Sequence, residues 1–181
     1  TTIICSDKTG TLTRNEMTVT SVYLPVGNRE ISVSGVGYVP EGHFLEAGYK
    51  VNPSTDKTLQ KLFEICCFCN DAQLLGPDVA GSGYRILGDP TEGALLTFAA
   101  KGGVDPSSIR KTFLRKAELP FNSDVKMMAT QHEIDGKSIV FIKGAPESIL
   151  EFSSFVYQEA HAEPLDSHYQ DQIHAAAKKM A

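Results

Sequence analysis

Cys5-Ser6-Asp7-Lys8-Thr9-Gly10-Thr11-Leu12-Thr13-Arg14 follows an apolar run that begins at Thr1. The β-branched residues of that run predict a buried strand over Thr1 to Cys5. The strand delivers Asp7 into a loop with a lysine, a glycine and several hydroxyls. Open α/β sheets place their chemistry at the carboxyl ends of strands. Gly10 marks a turn where backbone can come close to a ligand. A carboxylate in that position can attack phosphorus and become an aspartyl phosphate. Lys8 and the loop N–H groups can balance charge on the transferred group. The plain alternative is a strand and turn in which Asp7 only caps the chain.

Composition sets outer limits. The chain has 181 residues, 41% hydrophobic and 22% charged, enough for one sizeable core or a core plus a fragment. A net charge of −5 gives nucleic-acid binding no electrostatic support. A local site can still hold a nucleotide against that net charge. No apolar run approaches the roughly 20 residues that span a bilayer, and the opening residues are not expected to be a signal peptide. Thr1 falls inside a strand and Met180-Ala181 inside a helix, so both ends are expected to be cuts in a longer protein. Cys66, Cys67 and Cys69 crowd one helix, and with Cys5 they offer neither a disulfide framework nor paired metal-ligand spacing. They read as small buried hydrophobes of a reducing compartment.

Along the chain, Met17 to Leu24 and Ile31 to Val36 predict strands joined by a Gly27-Asn28 turn. Val36 to Asn52 is rich in Gly and Pro and predicts a loop, with Tyr38, Phe44 and Tyr49 to tack it onto the core. Leu59, Leu62, Phe63, Cys66 and Cys67 have helical spacing within Asp56 to Leu75. A short strand over Tyr84 to Leu87, a helix from Pro90 through Ala99 and another over Ser107 to Leu114 follow. Lys126 to His132 and Lys137 to Lys143 predict a hairpin around Asp135-Gly136. Helices over Pro146 to Phe152 and Ser167 to Met180 complete the pattern.

Three further stretches carry chemistry. Gly88-Asp89-Pro90-Thr91-Glu92 is a helix start, where Asp89, Thr91 and Glu92 suit the unpaired N–H groups and the positive helix end. Capping alone would explain it. Pro120-Phe121-Asn122-Ser123-Asp124-Val125-Lys126 offers an aromatic face for a purine and a cation for a phosphate. The bland reading of Phe121 is a core aromatic at a strand entry. Lys143-Gly144-Ala145-Pro146-Glu147 ends a strand with a lysine and lets backbone approach a ligand before a helix begins. A snorkelling surface lysine is its alternative.

Asp-Lys-Thr-Gly-Thr, followed in order by these three stretches, resembles the P-type ATPases, ion pumps that phosphorylate themselves on this aspartate. The resemblance spans nearly the whole chain. It implies an α/β (α+β) fold: an antiparallel sheet flanked by helices, the nucleotide-binding domain, over residues 16–181 and truncated at its C-terminus. Residues 1–15 would be the first strand and Asp loop of a haloacid-dehalogenase-like phosphorylation domain, with its hinge. The outgoing hinge strand and the Asp-rich magnesium loop are missing. Thr1 to Asn15 is therefore expected to lack its native neighbours.

The resemblance also implies roles. Asp7, Lys8 and Thr9 would be catalytic, with Asp7 and Thr9 on Mg²⁺ and further metal ligands elsewhere. Glu92 would accept from the adenine amino group, Phe121 would stack on adenine, and Lys126 would lie beside the triphosphate. Lys143 would lie at the floor of the adenine pocket, Gly144 would allow close backbone approach, and Ala145 beside them would also belong to the nucleotide-binding set. ATP is the implied substrate, and the partners are the phosphorylation, actuator and transmembrane domains of the same chain. Nucleic acid is not among them. The piece by itself is expected to be monomeric and soluble, binding ATP without turnover, with its parent in a membrane and this domain on the cytoplasmic side.

Two other readings compete: a soluble aspartyl-phosphate phosphatase with a cap domain, and a standalone nucleotide-binding module. Thr9 disfavours the first, because such phosphatases usually carry a second Asp there to hasten breakdown of the phosphoenzyme. The second leaves the phosphorylation loop unexplained. Pro-Phe-Asn-Ser-Asp-x-Lys-Met-Met with Gly-Asp-Pro-Thr-Glu is most similar to the calcium-pump branch, particularly prokaryotic members. Val125 departs from it, standing where calcium pumps often have Arg, and one fewer cation implies weaker or less selective nucleotide binding.

Overall fold

The computed structural model describes residues 16–77, 83–159 and 161–181. Strands β1 (Ser21–Leu24), β2 (Arg29–Val33), β3 (Phe44–Glu46) and β4 (Tyr49–Val51) form an antiparallel meander. Helix α1 (Lys57–Phe68) follows, and β5 (Gln73–Leu75) pairs with β6 (Arg85–Leu87). Helices α2 (Pro90–Lys101) and α3 (Pro106–Thr112) lead into a three-stranded sheet of β7 (Arg115–Asn122), β8 (Met127–Ile134) and β9 (Lys137–Gly144). Helix α4 (Pro146–Phe152), the β10 (Phe155–Gln158) and β11 (His161–Pro164) ladder and α5 (Ser167–Met180) complete the described elements.

Helix α1 joins two halves of the core. Asp56 caps it, accepting from the N–H groups of Thr58 and Leu59 at 3.0 Å each. Its buried face carries Leu59, Phe63, Cys66 and Cys67, the helical stripe that the spacing predicts. There the rings of Phe44, Phe63 and Phe98 meet with centroids 4.9–5.8 Å apart. At the far end of α1, Phe68 stacks on Phe141 at 4.8 Å, beside Met128. Burial pushes the Cys66 and Cys67 thiols up to about 12 and raises Cys69 as well. These three cysteines are packing residues, as expected; Cys5 lies outside the described residues.

Antiparallel strands with flanking helices are what the sequence predicts, but the described strands divide among four sheets instead of one. The predicted loop over Val36 to Asn52 contains the β3–β4 hairpin, turned by Ala47 and Gly48 in the left-handed region. Its three-residue strands are too short to show a period of two. Phe44 and Tyr38 are buried as expected, whereas Tyr49 is 80% exposed. The helical spacing seen within Asp56 to Leu75 ends at Phe68, and Gln73 to Leu75 is a strand instead. Asn70 breaks the helix there by turning its side chain onto the backbone N–H of Ala72 at 3.0 Å. The predicted strand from Met17 begins only at Ser21. The sequence pattern does not predict β7, β10 or β11. Among the described residues, no helix is long and apolar enough to cross a membrane. The predicted strand, Asp loop and hinge of a phosphorylation domain, residues 1–15, lie outside the described residues.

One ion cluster ties the meander to α1. Arg29 donates to Glu46 at 2.8 and 2.9 Å and to Asp56 at 2.8 Å. The hydrogen bond from Arg29 holds the Glu46 carboxyl below its ordinary range, with burial opposing. A depressed folded pKa gives stability that is present above the unfolded value, about 4.3, and is lost as pH falls through the folded one. Unfolding free energy measured by denaturant titration between about pH 5 and 3 should therefore fall less steeply in Glu46→Gln than in the wild type.

Candidate nucleotide-binding site

The N-terminus of α2 positions the first functional side chain. Asp89 caps the helix, accepting from Thr91 N at 2.8 Å and Glu92 N at 3.1 Å, and Pro90 occupies the first helical position. Asp89 thus does the capping, and the Glu92 carboxylate is free to reach across to another segment. One oxygen accepts from Asp71 N at 3.0 Å and Ala72 N at 3.1 Å. The other pairs with Lys143. The Glu92 and Lys143 side chains are only 15% and 22% exposed. Capping alone does not describe such a residue.

The connection from α1 to β5 is built to receive Glu92. Asn70, 1% exposed, donates to the Glu92 carbonyl at 2.9 Å and accepts from Ala72 N. Gly88 sits against this connection with φ +121°, and a Cβ there would come within 2.9 Å of Ala72 Cα. Only glycine combines that backbone angle with that approach.

The other wall comes from the three-stranded sheet. Met127 pairs with both Asn122 and Gly144, which sets Phe121 and the Lys143–Gly144 step at the same end of the sheet. Lys143 pairs with Met128 and shares its inner face. The β7 register shifts between Leu119 and Asn122, and such bulges re-aim side chains. Phe121 is 63% exposed, so the reading of a core aromatic fails.

Glu92, Phe121, Lys143 and Gly144 line one cavity of about 740 Å³, with Asp71, Thr91 and Leu95 among their neighbours. The sequence therefore singles out four of its walls. Lys126 and Ala145 are not among the lining residues. Lys126 Nζ pairs with Glu147 at 3.2 Å, and Ala145 caps α4 while its N–H donates to the Lys126 carbonyl at 3.0 Å. Gly144 has a reason internal to the sheet: a Cβ there would lie 2.5 Å from the Lys126 carbonyl oxygen and 2.6 Å from Met127 Cγ. Asn70 and Asp71 are site residues that sequence reasoning missed. Asp7, Lys8 and Thr9 lie outside the described residues.

Comparison with known proteins gives this cavity its context. The family model for the P-type ATPase cytoplasmic domain N matches residues 58–181. The chain is 43% identical over 155 residues to the cation-transporting ATPase pma1 of Synechocystis, covering 83% of this chain and 16% of that protein. It is 36% identical over 173 residues to the bovine calcium-transporting ATPase type 2C member 1, covering 93% and 17%. It is 36% identical over 180 residues to a calcium-transporting ATPase of Bacillus subtilis, covering 99% and 20%. The chain thus spans no more than 20% of the length of these relatives. A cavity edged by a helix start, a strand end and an exposed aromatic ring lies within the matched stretch, and the chain belongs to the P-type ATPase cytoplasmic domain N family.

Proposed function

We propose that this chain binds ATP in the Glu92–Phe121–Lys143 cavity, as the nucleotide-binding part of a cation-pumping ATPase. The observation that carries this is the state of Glu92. An ionised carboxylate offers about four acceptor positions. Three donors, two backbone N–H groups and Lys143, use three of them. The remaining acceptor suits one N–H donor such as the 6-amino group of adenine, and it would be unfavourable to a 6-oxo base. Phe121 supplies an exposed ring for stacking. Lys143 keeps positive charge at the floor, and Lys126 would leave Glu147 for a phosphate. Val125, 49% exposed, adds no cation to that edge.

In the parent, residues 1–15 would belong to the phosphorylation domain and residues 16–181 to the nucleotide domain. Closure of one on the other would bring the γ-phosphorus to Asp7. The Asp7 carboxylate would attack it, ADP would leave, and an aspartyl phosphate would form. Lys8 and Thr9 would contact the transferred group. Mg²⁺, held by Asp7 and Thr9 with ligands from elsewhere in the parent, would neutralise phosphate charge. Relatives named as calcium-transporting support Ca²⁺ as the cargo, and a membrane parent with this domain on the cytoplasmic side. The motif order makes a phosphatase or a standalone module the weaker account.

Calorimetric titration tests the ATP site. The folded wild type should bind ATP saturably, and Phe121→Ala and Glu92→Ala should each weaken binding about tenfold or more, the scale of one stacking or charge-assisted contact. A folded wild type without saturable binding, or variants that bind like it, would contradict the reading. Gly144→Ala should lower stability by about 1–3 kcal/mol through overpacking against Lys126 and Met127, read as a lower denaturation midpoint, and should weaken ATP binding as well.

A further inference from the structure

The segment that receives Glu92 is held from its other side by two arginines. A helix end leaves carbonyl groups without intrahelical partners. Arg110 on α3 reaches the end of α1: its Nε donates to the Cys67 carbonyl at 2.7 Å, Nη2 to that of Asn70 at 3.0 Å and Nη1 to that of Ala72 at 2.7 Å. Arg115 donates to the Asn70 carbonyl at 2.8 Å and to the Asp71 carboxylate at 2.6 Å. The Asn70-Asp71-Ala72 segment is therefore tied at the Asn70 and Ala72 carbonyls to arginines and at the Asp71 and Ala72 N–H groups to Glu92. Arg110 is not among the residues that line the cavity. Its fork makes three directed bonds from one rigid plane, which a lysine cannot reproduce.

We propose that Arg110 is a positioning residue for base recognition: by fixing the carbonyls of Cys67, Asn70 and Ala72 it fixes the two N–H groups that orient the Glu92 carboxylate toward the cavity. This rests on the ATP site proposed above. A loosened segment lets the carboxylate swing, and the contact to the 6-amino group suffers first. Stacking on Phe121 and phosphate contacts do not depend on that orientation. Loss of Arg110 therefore costs selectivity for adenine more than it costs nucleotide binding as such.

The test compares ATP with inosine triphosphate, which has a 6-oxo group where ATP has its amine. Affinities are measured for the wild type, Arg110→Lys and Arg110→Gln, together with amide hydrogen exchange at Asp71 and Ala72 without nucleotide. Arg110→Lys should weaken ATP binding about five- to tenfold, the scale of one charge-assisted hydrogen bond, and inosine triphosphate binding less than about twofold. The Asp71 and Ala72 amides should exchange faster than in the wild type. If Arg110→Gln fails to fold, Arg110→Lys, which keeps the charge and the aliphatic stem, carries the comparison. An unchanged ratio of the two affinities in a folded variant, an equal fall in both, or unchanged exchange at the two amides would overturn the proposal. Failure of the ATP site itself shows up separately, as a wild type that binds neither nucleotide.

Discussion

A carboxylate and an ammonium group drawn largely out of water organise this domain. Burying a charge is costly unless it is paired and hydrogen-bonded. Glu92 meets both conditions through Lys143 and the N–H groups of Asp71 and Ala72. To do so it gathers the α1–β5 connection, the start of α2 and the end of β9 at one point. The connection and the strand end contact Glu92 from 21 and 51 residues away along the chain. The same convergence leaves a cavity beside the pair and a carboxylate with acceptor capacity to spare. Structural need and proposed binding function thus fall on one side chain.

The hydrophobic framework makes that convergence possible. Phe63 and Phe98 fasten α2 against α1, while Phe68 and Phe141 fasten β9 to the end of the same helix. Helix α1 is therefore the ruler that sets the distance from the α2 N-terminus to the strand carrying Lys143. Thr130 adds a polar fixing point, its hydroxyl donating to the Phe68 carbonyl at 3.2 Å. Dense packing around these rings gives the pair little freedom to drift.

Much of this was legible in the sequence because local chemistry reports local structure. Asp56 and Asp89 are caps where helix-start rules put them, and Asp135 and Gly136 take the positive φ angles of a tight hairpin turn. Glu92, Phe121, Lys143 and Gly144 could be picked out because three short motifs occur in family order. What stayed hidden depends on distant partners. Arg110 and Asn70 serve backbone groups 22 to 43 residues away, and no spacing rule announces such contacts. The β3–β4 and β10–β11 ladders are too short for alternation to stand out. The exposure of Phe121 depends on a register shift in β7 that its own sequence does not advertise.

The most direct test of the account is to map a non-hydrolysable ATP analogue onto the folded protein by backbone amide NMR. The account predicts saturable shifts concentrated at Asp71, Ala72, Glu92, Phe121 and Gly144, with the Arg29–Glu46–Asp56 cluster unaffected. Shifts concentrated away from the Glu92 cavity, or none in a folded protein, would contradict it.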